Sequence, residues 1–351
     1  MNWGGNDTVV RIIDLKNDRE VMAIRDFLSG FDLTFDPDSV EYTMALYREE
    51  KLIATGSLGG EVLRNIAVSR ELQGEGLTAV VVSHLMSEAA RRGRYHYFVF
   101  TKPDTAHLFS ALGFQEIGRA EPYAALLESG VGSIGEYCRD LSRAVAALPP
   151  GPRAVLVVNC NPFTLGHRAV IAKAAAENSA VVVLVVSEDR SLFPFPVRLE
   201  LVRDGLASLN NVLVLPGGKY IISAATFPDY FTRGAAVDAQ TRLDADIFGR
   251  HIAPALGITR RYVGDEPYCE VTRCYNQAML EVLPEHGVEV VVMPRLAQDG
   301  VPVSASRVRE LLRTEDWDAL RQLVPDTTYR YLRSDAAWPV LESIRISNSR
   351  H

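Results

Sequence analysis

A threonine, a glycine and a histidine at 164, 166 and 167 have the types and the spacing to handle phosphate. They close the nine residues NCNPFTLGH, 159–167, which follow the apolar run RAVLVV and precede AVIAKAAA, so the polar stretch lies where a buried strand gives way to a helix. Main-chain N–H groups and the positive end of that helix would face whatever lies above the sheet, an arrangement that favours an anion. His167 would donate a hydrogen bond to a phosphate oxygen, Thr164 would add a hydroxyl donor, and Gly166 would permit a close approach. Asn161, Pro162 and Phe163 complete the candidate phosphate-binding turn. Asn159 and Asn161 suit a turn held by side chain to backbone bonds, and Cys160 reads as a small packed side chain.

A second stretch repeats the geometry. VSASRVRELL, 303–312, follows the strand VEVVVMP and opens a helix with Ser304 and Ser306 at its start and Arg307 and Arg309 in its first turns. Cations at a helix N-terminus cost about 0.3–1 kcal/mol unless an anion is present, so the pair points to one. The two arginines lie about 200° apart around a helix and do not reach one phosphate from the same face. Gly264, ending the strand RYVG, joins the candidate phosphate-binding set; Arg198, in PVRLELV, could help clamp an anion, but its type favours an exposed helix arginine.

The elements that must position these groups are legible in the hydrophobic pattern. From Arg153 onward continuously apolar strands (RAVLVV, AVVVLVVS, NVLVLP, RYVG, VEVVVMP) alternate with helices, which predicts a parallel sheet covered on both faces, with ligands beyond the strands' carboxyl ends. Before that, strands at 42–49, 51–58 and 61–69, a helix at about 77–92, a strand at 95–101 and a helix at 105–112 predict an α/β unit that begins with antiparallel hairpins. The expected organisation is a domain over 1–128, a Gly- and Pro-bracketed linker over 129–152, a catalytic domain over 153–330 and a tail over 331–351.

The first domain carries its own candidate. Gln73-Gly74-Glu75-Gly76-Leu77-Thr78 precedes a helix and would offer successive N–H groups to a diphosphate, with the Glu75 side chain free to point away. In HLFSALGF, the phenyl ring of Phe109 cannot donate a proton, which leaves His107 and His84 as possible acids. A length of 351 residues suits two domains, and a net charge of −7 argues against a broad nucleic-acid surface. Cys138, Cys160, Cys269 and Cys274 form neither a disulfide framework nor a zinc pattern. With neither a secretory signal nor a membrane span in the pattern, the expected location is the cytoplasm.

T-L-G-H resembles the T/H-x-G-H signature of the nucleotidyltransferase superfamily, and V-S-A-S-R-V-R resembles its I-S-x-T/S-x-x-R motif, with Val303 and Ser306 as departures. The longer stretches NCNPFTLGH, SEDRSLFPFPVRLELVRDG, YIISAATFPDYF, VGDEPYCEVTRCYNQAM and MPRLAQDGVPVSASRVRELL together resemble the citrate (pro-3S)-lyase ligase family. ELQGEGL and TKPDTAHLFSALGF resemble its N-terminal GNAT-like domain, with Thr78 in place of the usual small final residue of the loop. Asp265 departs from the family's expected threonine, and its role stays open between repelling phosphate and holding magnesium.

The resemblance implies a GNAT-like domain followed by a Rossmann-like nucleotidyltransferase domain. It further implies a ligase that uses ATP and Mg2+ to convert acetate to acetyl-adenylate and pyrophosphate, then acetylates a dephospho-CoA-like arm on the acyl carrier subunit of citrate lyase. His167, Thr164 and Arg309 would act on the phosphates, Ser304, Ser306 and Arg307 beside them, while residues 73–78 would hold the arm. No protein ligand for the metal is singled out. Competing readings are an adenylyltransferase acting on a phosphate acceptor, an N-acetyltransferase with a regulatory C-terminal half, and a non-catalytic sensor of the arm.

Overall fold

The computed structural model describes residues 8–189, 191–222, 235–265, 270–294, 296–298 and 301–346. Cys269, parts of the stretches YIISAATFPDYF, VGDEPYC and MPRLAQDG, and residues 347–351 of the expected tail lie outside the described residues. The chain divides into two units, residues 1–137 with 224–247, and residues 138–223 with 248–351.

The first unit contains, in order, β1 (Thr8–Ile12), α1 (Asp18–Ser29), β2 (Tyr42–Arg48), β3 (Lys51–Gly59), β4 (Val62–Val68), α2 (Leu77–Arg91), β5 (His96–Thr101), α3 (Ala106–Ser110), β6 (Gln115–Ala120) and β7 (Ala124–Gly130). The strands form one sheet in the order β1-β2-β3-β4-β5-β7-β6. The hairpins expected from the alternation at 42–69 are present, whereas β1, α1, β6 and β7 were not anticipated. Met44, Leu58, Val81 and Leu85 fill the core between the sheet and α2. A side chain at Gly56 would come within 2.5 Å of Val81 Cγ1, so the missing Cβ lets the helix lie close on β3. The unit is the expected α/β fold that begins with antiparallel hairpins, and it also takes a helix from far along the chain, Ala235–Ile247. Gly118 leaves room for Ile247, whose Cγ1 would stand 2.4 Å from an added Cβ. This helix lies inside the stretch assigned by sequence to the catalytic domain, because an amphipathic pattern tells that a helix is covered and not by which sheet.

The second unit begins within α4 (Ile134–Ala144), the helix of the expected linker, and continues with β8 (Arg153–Val158), α5 (Leu165–Glu177), β9 (Ala180–Val185), α6 (Phe195–Leu206) and β10 (Val212–Pro216). After the helix that joins the first unit, here α7, come α8 (Ala253–Leu256), β11 (Ile258–Gly264), α9 (Glu270–Val282) and β12 (Glu289–Met293). A short hairpin of β13 (Ala297–Gln298) and β14 (Val301–Pro302) leads to α10 (Ala305–Thr314), α11 (Trp317–Arg321), α12 (Asp326–Leu332) and α13 (Trp338–Ile346). Five strands form an all-parallel sheet in the order β10-β9-β8-β11-β12, as the apolar runs predict. Every residue of β9 is buried. The expected tail is docked, with Leu332, Val340 and Ile344 in the same core as Val183 and Leu311. No helix among the described residues is long and apolar enough to cross a membrane.

Candidate active site

Strand order in the second unit reverses between β8 and β11: the chain runs outward through β9 to β10 on one side and to β12 on the other. Such a reversal opens a crevice beyond the carboxyl ends of the two central strands. NCNPFTLGH leaves β8 there, and Gly264-Asp265 leaves β11. Asn276 Nδ2 donates to the Gly264 carbonyl at 2.9 Å and the Asp265 N–H donates to Met293 O at 2.8 Å, while the space beside Gly264 is open.

The start of α5 sets the histidine. Thr164 caps the helix: its Oγ1 accepts from the His167 N–H at 3.3 Å, and His167 Nδ1 accepts in return from the Thr164 N–H at 3.1 Å. A backbone N–H can only donate, so Nδ1 carries the lone pair and the proton of the neutral ring sits on Nε2. His167 is thereby held in the tautomer that can donate to a phosphate. Two expectations change. Thr164 is 1 % exposed and its hydroxyl lies 2.9 Å from Nδ1, so it orients the histidine instead of touching phosphate. Phe163 is fully buried, fitted against the bare Cα of Gly205 and stacked 6.0 Å from the His167 ring, so it seats that ring and offers no contact surface to a nucleotide.

Asn161 and Pro162 are joined by a cis peptide bond, and Cys160 before them has φ 53°. Asn161 Oδ1 accepts from the Phe193 N–H at 3.0 Å, the side chain to backbone bond the sequence suggests. Cys160 is buried, and burial pushes its thiol well above the ordinary range, so it is no nucleophile.

The second motif docks directly on the first. Ser304 caps α10, its Oγ accepting from the Arg307 N–H at 3.2 Å. A Cβ at Gly166 would stand 2.8 Å from Val303 O, so the close approach that glycine permits is to the second motif. Arg307 is exposed and paired with Glu310 at 2.9 Å. Arg309, on the opposite side of the helix, is 4 % exposed: Nη1 donates to the Asn161 carbonyl and Nη2 to Ser306 Oγ at 3.3 Å. Burial first, and then the charge of Arg313, hold its pKa below the usual arginine value. The guanidinium expected on phosphate is therefore engaged as a clasp between the motifs, and the exposed cation at this helix start is Arg307.

Arg198 is the largest correction. Far from being exposed, it is 0 % accessible, with Nε donating to Phe193 O at 2.9 Å, Nη2 to Glu188 O at 2.9 Å, and Nη1 to Val186 O at 2.7 Å, Asn159 O at 3.0 Å and Asn159 Oδ1 at 2.9 Å. Helical periodicity places it on the buried face of α6, a signal passed over because arginine is so seldom buried.

The first unit holds a separate cleft of about 480 Å³. Its origin is the parallel pairing of β4 with β5, confined to Val62 with Phe98 and Leu63 with Val99, beyond which the strand ends are not paired with each other. Gln73, Gly74, Gly76, Leu77 and Thr78 line it. Gly74 and Gly76 have φ of 92° and 78° with free space around them, so glycine is needed for backbone conformation alone. Among the described residues, the N–H groups of Gly74, Gly76, Leu77 and Thr78 find no acceptor in the chain, which makes this helix start a ready anion cradle. Glu75 faces away and pairs with Arg48 at 3.1 Å. Phe109 lines the cleft and packs edge-on against Phe114. Among the described residues no Asp, Glu, Tyr or Cys lines the cleft, and the titratable side chains there are Arg64, Lys102 and His107. His84 lies elsewhere, 2.6 Å from the Tyr42 hydroxyl, with its pKa lowered by burial.

Residues 153–332 match the family described as the citrate lyase ligase C-terminal domain. The chain is 40 % identical over 328 residues to the citrate (pro-3S)-lyase ligase of Klebsiella pneumoniae, covering 92 % of this chain and 95 % of that one. It is 37 % identical over 337 residues to the enzyme of the same name from Escherichia coli, covering 94 % and 95 %. Among solved structures, the ribosomal-protein-S18-alanine N-acetyltransferase from Escherichia coli aligns with 37 % of this chain and 97 % of its own at 18 % identity and a TM-score of 0.30.

Proposed function

The chain belongs to the citrate lyase ligase family, and from that premise we propose that it activates acetate with ATP in the cytoplasm and passes the acetyl group to the thiol arm on the acyl carrier subunit of citrate lyase. In the first step a carboxylate oxygen of acetate bonds to the α-phosphorus while the bond to the β-phosphate bridging oxygen breaks, giving acetyl-adenylate and pyrophosphate. In the second the thiol adds to the acetyl carbonyl, loses its proton and expels AMP, leaving a thioester.

Acetate is already ionised at neutral pH, so the first step needs no general base and depends on positioning and charge stabilisation. His167, as an Nε2–H donor, would serve the phosphate oxygens on which charge develops. The Gly166 N–H of α5, the Ala305 and Ser306 N–H groups of α10 and the exposed Arg307 would hold the remaining phosphates, with Thr164 and Arg309 fixing the groups that touch them. Magnesium would enter on the triphosphate, and Asp265 at the end of β11 would supply a carboxylate to it.

The cleft of the first unit would take the carrier's arm, its diphosphate on the N–H groups of residues 74–78. A cleft lined by neither a carboxylate nor a tyrosine suits holding the arm better than deprotonating an amine. The observation that carries the reading is the joining of both motifs at the reversal point of the sheet, through Arg309 to Asn161 and Gly166 to Val303. The experiment that tests it is exchange of labelled pyrophosphate into ATP by the full chain with magnesium, with and without acetate. Acetate-dependent exchange is expected; exchange indifferent to acetate would turn the reading towards an adenylyltransferase.

A further inference from the structure

Arg198 belongs to neither phosphate motif and has no surface with which to touch a substrate, yet all of its hydrogen bonds converge on the rim of the crevice. We propose that Arg198 is a positioning residue for acetate activation, fastening the segment 186–193 beyond β9 to the turn 159–161 beyond β8 so that the two strand ends form one platform under the nucleotide. The part played by the platform rests on the function proposed above; the fastening does not.

The acceptors are main-chain oxygens of Asn159, Val186, Glu188 and Phe193, on two separate parts of the chain, together with Asn159 Oδ1. Only a planar guanidinium with donors on three nitrogens can reach acceptors spread in this way; an ammonium has three donors radiating from one atom. None of these hydrogen bonds goes to a carboxylate. A buried cation satisfied by neutral carbonyls is an expensive way to fill a core, and an apolar residue of similar volume would be better if packing were its only task. What the guanidinium adds is a fixed relation between two strand ends. Smaller bonds run in the same direction: Asn159 Nδ2 donates to Ser191 Oγ at 3.0 Å, the Phe193 N–H donates to Asn161 Oδ1 at 3.0 Å, and the Gly218 N–H beyond β10 donates to Ser187 Oγ at 2.9 Å. Because Asn161 is also the residue that Arg309 holds, the platform is continuous with the turn that aims His167.

The test uses the full chain carrying Arg198→Lys, which keeps the charge and loses the fork. Backbone hydrogen exchange in 186–193 should accelerate by about tenfold or more while β2, β3 and α10 keep wild-type protection. In acetate-dependent pyrophosphate exchange, kcat should fall by roughly 10- to 100-fold with the KM for ATP nearly unchanged, the mark of misplacement within the bound complex. Wild-type protection of 186–193 in the variant overturns the proposal, whether or not the wild-type chain proves to be an acetate ligase. So does an activity loss that follows the fraction of unfolded protein, or one that raises KM alone. Should Arg198→Lys fail to fold, Asn159→Ala compared with Ser191→Ala decides: both lose the Asn159–Ser191 bond and only the first also loses an acceptor of the guanidinium, so Asn159→Ala should loosen the segment more, and equal or unchanged protection overturns the proposal.

Discussion

Arg309 donates from Nη1 to the main-chain oxygen of Asn161, a bond that spans 148 positions of sequence and closes one phosphate motif on the other. Arg307, two residues earlier, points to solvent and pairs with Glu310. The two arginines should therefore fail differently. Arg309→Ala leaves a buried carbonyl without its donor and should cost about 1–3 kcal/mol of stability, whereas Arg307→Ala gives up an exposed ion pair worth about 0–1 kcal/mol. Urea unfolding of both variants measures this, and equal costs would mean that the clasp is not formed in solution.

His167 and Thr164 should also separate. His167→Ala removes the donor proposed for phosphate and should raise the barrier to pyrophosphate exchange by about 2.7–4 kcal/mol. Thr164→Ala removes the helix cap, costing about 1 kcal/mol of stability, and lowers turnover less because the ring itself remains. Steady-state kinetics beside thermal melts test the pair; a Thr164→Ala loss as deep as that of His167→Ala would put the hydroxyl back on the substrate.

Gly76 starts α2 in the left-handed region at φ 78°, a conformation closed to a β-branched residue without strain. Gly76→Val should weaken acetyl transfer to the carrier arm and leave acetate-dependent pyrophosphate exchange nearly intact. Parallel loss of both activities would end the division of labour between the cleft and the crevice.

The His84 pair sets a pH dependence in the first unit. Burial lowers the His84 pKa, so the native state favours the neutral ring beside Tyr42 while the unfolded chain takes up a proton below its ordinary value of about 6.5. The unfolded state then binds more protons, and the contribution of His84 to stability is full above that value and is lost as pH falls towards the lowered native pKa. His84→Gln should flatten this acid-side slope, which begins as pH falls through the ordinary value of about 6.5, in urea titrations of the full chain. An unchanged slope would show that the ring is not held neutral.

Much of this protein is legible without a structure, because the signals concerned are local. All five strands of the parallel sheet and helices α5, α6, α9 and α10 follow from apolar runs and helical spacing, since a buried strand and a covered helix each impose their own period. The helix starts within residues 159–167, 303–309 and 73–78, on which the proposed anion sites rest, are equally local, a matter of polar turns. Helical spacing even puts Arg307 and Arg309 on different sides of α10.

Which of those two sides turned inward was decided elsewhere, by the turn at Asn161 against which α10 packs. The same holds for Thr164 and Phe163, whose types suit ligand contact and whose burial against His167 and Gly205 makes them supports. It holds for Arg198, whose charge argued for solvent until carbonyls from separate loops surrounded it. It holds again for the helix 235–247, drawn to Gly118 by a space that no periodicity records. Sequence determined the backbone of the segments with a strong local period, because that depends on neighbours a few residues away. Tertiary structure decided which polar groups meet a ligand and which hold those that do, because a side chain's partners there are brought by the fold from tens to more than a hundred residues away.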